Sequence, residues 1–397
     1  MKIVVMSIGS FDTQYSDYHI MRDIIVGLLE RGHEVDLIQK QYLDLPKYPH
    51  QFYTYLGNQL KVHNIRFEKK AKVDLKSRYI ADLSYYLKAC RLAKQQNPDK
   101  VFLQSNNTAF LPVFYSKHIL KCPLIYNEQD IFPENALLAG ILSEHSIVYV
   151  VAHFLQKYAY KNATVLSTIS DDMRSTIVKR YDIPKEKVQV IYNWGHEELK
   201  AHSEAENTFL KKYPKKPGEF RVVYAGNLGK MQNVEIILEA ASLMKDKDEI
   251  SFFIIGNGVN EQKLKKIAQD NNLNNVTFVS MQPPEEVADL YSAADVNIIP
   301  LKKGLINAAL PSKFADCLIA EKPIILSMDC GSQFVELCKK HGIYSNDADD
   351  PTELINTVLK IRNNAIKSDY YSLWSKHFKK SISTAEHCNA VERWGTI

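Results

Sequence analysis

At 397 residues, with 45% hydrophobic and 24% charged residues, 15 glycines and 15 prolines, the chain is too apolar to be disordered and too long for one ordinary core. Two domains are expected. Fifty basic against 46 acidic residues leave a net charge of +4, too mild to imply nucleic acid. No stretch supplies the roughly 20 apolar residues of a membrane span; the nearest, residues 146–155, is short and holds His153.

Lys2–Ser7 is apolar and β-branched and soon meets Gly9, Ser10 and Asp12, so it reads as a first strand and not as a secretory leader. A polar loop covers residues 9–17. Ile20, Ile24, Ile25, Leu28 and Leu29 recur at helical spacing, and Arg31-Gly32-His33 closes that helix before a strand at 35–39. Strand, loop, helix, glycine, strand is a βαβ opening and predicts parallel strands. Between Lys61 and Lys94 stand ten Lys/Arg against three acids, with Tyr79, Leu83, Tyr85, Tyr86 and Leu87 interleaved. That stretch suits a peripheral contact with an anionic membrane, tyrosines at the interface. It equally suits a solvated helix face over a buried apolar stripe. Strands are expected at 100–104, 123–127, 163–170 and 188–192, with a helix from Asp171 to about Arg180.

Between Gly195 and Phe220 the apolar periodicity stops. The charged, proline-bearing run from Lys211 to Gly218 reads as an interdomain linker. Alternation then restarts. Strands are expected at 220–225, 250–255, 276–279, 296–299 and 323–327, with helices at 234–243, 261–269, 284–293 and 313–319. The tail, 351–362 and 369–394, reads as helices. The expected division is a first Rossmann-like domain at 1–200, a linker at 201–219, a second Rossmann-like domain at 220–365, and a helical segment at 366–397 that packs back on the first. The six cysteines, Cys90, Cys122, Cys317, Cys330, Cys338 and Cys388, form no Cys-x-x-Cys pair, which favours reduced thiols in a cytoplasmic protein.

Five segments could carry chemistry. Gly226-Asn227-Leu228-Gly229-Lys230 joins a strand to a helix, where glycines let backbone N–H groups approach an anion; a tight turn needs such glycines too. Gly256-Asn257-Gly258 ends the next strand, the edge of an open α/β sheet where ligands lie. Pro311-Ser312-Lys313 opens a helix. Lys313 in its first turn opposes the helix dipole unless an anion binds nearby, and Asp316 follows on the same face. The run from Tyr126 to Asn135, with Glu128, Gln129, Asp130 and Glu134, sits at the end of a buried strand; its three acids could orient an acceptor or act as a base, or begin a helix. Asn193-Trp194 ends the last strand of the first half, as cleft wall or as hinge packing.

In this order and spacing the five segments resemble the retaining GT-B glycosyltransferases of family 4, most nearly the bacterial surface-polysaccharide branch that includes the N-acetylfucosaminyltransferases. The likeness runs from Lys2 to about Arg362. It implies an α/β fold of two Rossmann-like domains facing each other across a cleft, with C-terminal helices. It implies donor-binding by Gly9, Ser10, Gly226, Asn227, Gly229, Lys230, Gly256, Asn257, Pro311, Ser312, Lys313 and Asp316, with Lys313 on the diphosphate and Asp316 on the ribose. Gln129, Asp130, Glu134 and Asn193 would hold the acceptor, and Asp130, Glu134 and Lys313 would serve catalysis. The chain departs from the wider family at three places. The first acid of its Glu-x7-Glu motif is Ala308. The usual Arg and Lys of the donor turn are Asn227 and Gln232, with Lys230 a displaced substitute. The His before Asp130 is Gln129.

The expected activity is transfer of a sugar from a UDP-sugar to a polyprenyl-diphosphate saccharide with retention, with no metal or other cofactor, at the inner face of the cell membrane. A UDP-sugar epimerase of the same architecture and a degenerate nucleotide-sugar-binding subunit are the alternatives.

Overall fold

A computed structural model describes residues 1–9, 18–42, 60–67, 75–247, 249–364 and 368–393. Ser10 lies outside the described residues, as do residues 68–74 of the basic stretch. The chain forms two compact units, Met1–Tyr192 together with Ser381–Ile397, and Asn193–Lys380.

The first unit is built on seven parallel strands: β1 (Lys2–Ser7), β2 (Glu34–Tyr42), β3 (Leu60–Phe67), β4 (Lys100–Gln104), β5 (Leu124–Glu128), β6 (Val165–Thr168) and β7 (Val188–Val190), in the order β3-β2-β1-β4-β5-β6-β7. The second holds six: β8 (Phe220–Ala225), β9 (Ile250–Ile255), β10 (Val276–Val279), β11 (Val296–Pro300), β12 (Ile324–Ser327) and β13 (Tyr344–Asn346), in the order β10-β9-β8-β11-β12-β13. All pairings are parallel. The central strands β4, β5 and β11 are buried along their whole length. That is why they read as unbroken apolar runs: helices cover both faces of a parallel sheet. Each sheet reverses its order once, between β1 and β4 and between β8 and β11, and the carboxyl ends there form the crevice in which such sheets bind ligands.

One expectation fails. Residues 201–219 are not a free linker but part of the second unit. The Asp289 carboxylate accepts from the backbone amides of His202 and Thr208 at 2.7 and 2.8 Å and from the Thr208 hydroxyl at 2.8 Å. Arg221 donates to the carbonyls of Tyr213 and Pro214. Burial opposes ionisation of Asp289, but these donors outweigh it and hold the carboxyl at about 2. Polar composition marks the segment without apolar periodicity, yet its backbone donors have a buried charge to satisfy.

In the basic stretch, where a membrane contact and a solvated face over a buried stripe were both expected, Leu87 is exposed while two tyrosines are not. Tyr85 and Tyr86, on the helix Leu75–Gln96, are core residues. The Tyr85 hydroxyl lies 2.7 Å from the carbonyl oxygens of both Ser7 and Ile38. Their aromatic bulk fills the space over β1 and β2, where burial outweighs interfacial placement. The last helix, Lys380–Arg393, belongs almost entirely to the first unit. Arg31 and His33 bind Glu392, and Lys100 donates to the carbonyl of Val391.

Candidate functional site

In the second unit the turn after β8 and the turn after β9 are pressed together. A β-carbon at position 256 would lie 1.9 Å from the carbonyl oxygen of Gly226, and one at 258 would lie 2.3 Å from that of Leu228. Gly256 (φ +142°) and Gly226 (φ +149°) adopt backbone angles that side chains disfavour. Of the four amides expected to face an anion, that of Gly226 already donates to Ile255 and that of Leu228 to Asn257, each at 2.9 Å. The amides of Asn227 and Gly229 are the pair this turn can still offer. Gln232 closes on the same turn, its buried Oε1 without a donor among the described residues, 2.7 Å from where a β-carbon of Gly229 would stand.

Lys313 reaches this turn from the helix Lys313–Ile319. Its Nζ lies 2.5 Å from the position a β-carbon of Gly226 would take and 4.0 Å from the centre of the Tyr224 ring. The stem of the side chain is partly exposed, but the amine itself is buried and has no hydrogen-bond acceptor among the described residues. Burial, only partly offset by the neighbouring Cys317, pushes its pKa down to about 7. A buried ammonium without a carboxylate is costly, and an incoming anion would supply what the fold does not. Pro311 and Ser312 precede it; Ser312 holds the cap position without a side-chain cap bond. Asn227, Lys230, Asn257 and Ser312 are exposed around the turn.

Asp316 does not join Lys313. Its Oδ1 accepts from the His196 amide at 2.8 Å and lies 3.1 Å from His196 Nδ1. It borders a cavity of about 260 Å³ with His196, Glu197 and Tyr291. Sequence spacing placed the two residues on one helix face and could not show that His196, 120 residues away, holds the acid. Asn193, expected at the end of the first half, is buried at the start of the second unit. Ala308 is fully buried.

In the first unit, Gly9 lies two residues beyond β1, its amide donating to Ser7 Oγ at 3.1 Å. Asp130 is exposed just beyond β5, and Gln129 donates to Asn127 Oδ1 at 3.1 Å. Glu134 behaves differently from expectation. It is 2% exposed and engaged by the Tyr149 hydroxyl at 3.0 Å, His153 Nδ1 at 3.1 Å, the Tyr181 hydroxyl and Arg180 Nε at 3.4 Å. A carboxylate so surrounded has no face left for a substrate; it braces the chain after β5. Glu128, one of the three acids of this segment, is not beyond the strand but within it. It is buried at the end of β5 and bonded to Ser105, to Gln156 at 2.7 Å and to Tyr160 at 2.6 Å. Burial raises its carboxyl to about 7 against the lowering effect of those donors. The signal that could have placed it was its position two residues after the apolar run Leu124-Ile125-Tyr126 of a fully buried strand.

Asp347-Ala348-Asp349 has the spacing of a metal-binding pair, but both carboxylates lie within 3.6 Å of Lys303 Nζ. Among the described residues no cluster of three or more His, Cys, Asp or Glu could hold a metal.

Residues 20–194 match the sequence model of Glycosyltransferase Family 4, and residues 205–372 match that of Glycosyl transferases group 1. The probable glycosyltransferase WbjE of Pseudomonas aeruginosa is 27% identical over 300 residues, covering 75% of this chain and 74% of its own. The putative colanic acid biosynthesis glycosyl transferase WcaI of Escherichia coli (strain K12) is 26% identical over 191 residues, 48% of this chain and 46% of that one. Anabaena Alr3699/HepE in complex with UDP superposes with a TM-score of 0.72 at 15% identity, over 99% of this chain and 100% of that chain. WaaG, a glycosyltransferase involved in lipopolysaccharide biosynthesis, gives 0.70 at 14% identity, over 98% and 99%.

Proposed function

We propose that this chain, a family 4 glycosyltransferase of GT-B architecture with two Rossmann-like domains, moves a sugar from a UDP-sugar to a lipid-linked, polyprenyl-diphosphate saccharide in bacterial surface polysaccharide synthesis, with retention at the anomeric carbon. The observation that carries it is the buried, acceptorless amine of Lys313 set against the Gly226 turn at the point where strand order reverses. UDP in Anabaena HepE and the polysaccharide roles in the names of WcaI and WaaG support the reading. An N-acetylhexosamine, as in the N-acetylfucosaminyltransferase branch, is the first donor sugar to test.

In this reading the bond from the anomeric carbon to the UDP oxygen breaks, and negative charge grows on the departing diphosphate. Lys313 Nζ and the free amides of Asn227 and Gly229 would stabilise that charge in a dry site, where such groups count most. The acceptor hydroxyl attacks from the same face and passes its proton to the diphosphate. Asp130, exposed at the end of β5, would orient the acceptor. No metal takes part, and turnover is expected to persist in EDTA.

The test is UDP release with purified chain, a panel of UDP-sugars, and polyprenyl-diphosphate saccharide present or withheld. Release only with acceptor is expected, and Lys313→Ala should lower kcat/KM by about 100-fold or more. Conversion of UDP-sugar without acceptor would indicate the epimerase instead. Unchanged turnover in Lys313→Ala would overturn the assignment of the diphosphate.

A further inference from the structure

The helix Ile147–Asn162 has its polarity reversed. Its inward face is polar: Tyr149 and His153 reach Glu134, while Gln156 and Tyr160 reach Glu128. Its outward face is apolar. Ile147 is 82% exposed, Val150 56%, Val151 50% and Phe154 69%. These positions stand three and four residues apart, so they form one stripe, with exposed Val148 along its edge. A helix on a water-facing surface shows the opposite pattern. The stripe runs on to Tyr158, whose hydroxyl lies 3.4 Å from the His118 ring, and His118 packs on exposed Phe114 at 4.7 Å. A run of large exposed apolar side chains on this scale marks a contact surface.

The charge around the stripe is mostly basic, and Glu144, just before the helix, is paired with Arg180 at 3.0 Å. Residues 110–124 and 145–162 contain no Asp or Glu. Lys117, Lys121 and Lys161 are exposed, and Lys157 is half-buried. Lys187 donates to the Lys161 carbonyl at 2.8 Å, which brings it beside this cluster; burial, and after it the charge of Lys117, lowers its amine to about 8. Asp182, 3.7 Å from Lys161 and largely exposed, is the acid nearest this cluster among the ion pairs of the described residues. Two copies joined through this face would set the same cations against each other. An anionic surface would not.

We propose that this face docks the protein on an anionic lipid bilayer. The Ile147–Phe154 stripe enters the boundary between headgroups and acyl chains, and the lysines meet lipid phosphates. The chain lies on the bilayer and does not cross it; no helix among the described residues is long and apolar enough to span. This inference stands apart from the transfer reaction, because its readout is partition and not turnover.

The experiment is co-sedimentation of the full chain with vesicles of phosphatidylcholine alone or mixed with phosphatidylglycerol. Binding to the mixed vesicles is expected, weaker by about tenfold or more on neutral ones and falling with salt. Val151→Glu/Phe154→Glu should abolish it while the melting temperature holds, since these side chains are half or more exposed. Lys117→Ala/Lys161→Ala should weaken it several-fold. Lys88→Glu/Arg91→Glu, in the basic stretch of the earlier helix, should leave it unchanged. The proposal is overturned if the wild-type chain binds neither vesicle, or if the Val151/Phe154 variant binds as wild type. It is also overturned if the Lys88/Arg91 variant alone loses binding. Conversion of a dimer to monomer by the Val151/Phe154 change, with vesicle binding intact, would make the face a contact between copies.

Discussion

Two acids four residues apart behave as opposites, and only their surroundings distinguish them. Asp130 is exposed, whereas Glu134 is buried under two tyrosine hydroxyls, a histidine and an arginine. Removing one partner of a buried charged network leaves the others uncompensated, a loss of about 3–5 kcal/mol. Glu134→Ala should therefore lower the melting temperature sharply, while Asp130→Asn should leave it unchanged and lose activity. Equal melting temperatures for the two would show that Glu134 is no brace. Lys313 carries the opposite signature, a buried amine with no acceptor among the described residues, which the proposed function assigns to a ligand. Its folded pKa, about 7, lies below its ordinary 10.5. Between those values the unfolded chain binds more protons, so this residue favours folding as pH rises and costs most at and below pH 7. Lys313→Met should raise the stability of the ligand-free protein by about 1–3 kcal/mol near pH 7, with the gain fading towards pH 10.5. A gain that ignores pH, read by thermal denaturation, would contradict the burial of this amine.

At the scale of elements, the proposed donor side is two βα turns interlocked. The β-carbon of an alanine at 256 would overlap the Gly226 carbonyl at 1.9 Å, and backbone cannot swing aside as a side chain can. At 226 the obstruction is instead the Lys313 amine, the far end of a flexible chain. Gly256→Ala is accordingly expected to cost about 3 kcal/mol or more and to reduce soluble yield. Gly226→Ala should retain more of the fold but weaken donor binding, because Lys313 must move. Donor affinity by calorimetry and melting temperature together separate the two, and a Gly256→Ala protein as stable as wild type would refute the interlock.

The whole molecule carries two parallel sheets with the same strand order, each reversing once, and each unit has a core of its own. A ligand that binds one folded unit stabilises that unit by mass action. If the diphosphate site lies wholly in the second unit, UDP should raise the transition that reports Asn193–Lys380 and leave the other in place. Trp194, buried in that unit, is a suitable fluorescence probe. A UDP-induced shift confined to the other transition would move the donor site out of the second unit.

Apolar runs and glycine punctuation sufficed for the α/β class, for both sets of core strands and for the order of the turns, because a strand buried on both faces must be apolar along its length. Local spacing likewise brought Lys313 into view, since a cation in a first helical turn is anomalous wherever the chain folds. The fate of the acids was not legible. Asp316 is held by His196, Glu134 by residues up to 47 positions away, and Asp289 by the segment expected to be a linker. The charged run before Phe220 misled for the same reason, and the tyrosines after Lys61 left two readings open. Whether a polar side chain faces water, a core or another chain depends on what packs against it, and long-range packing brings those partners together where composition and period record only the residues themselves. The outward apolar stripe at Ile147 shows the converse: the sequence shows only an apolar run too short to span a membrane, and only the polar partners on its other side reveal which face was left outside.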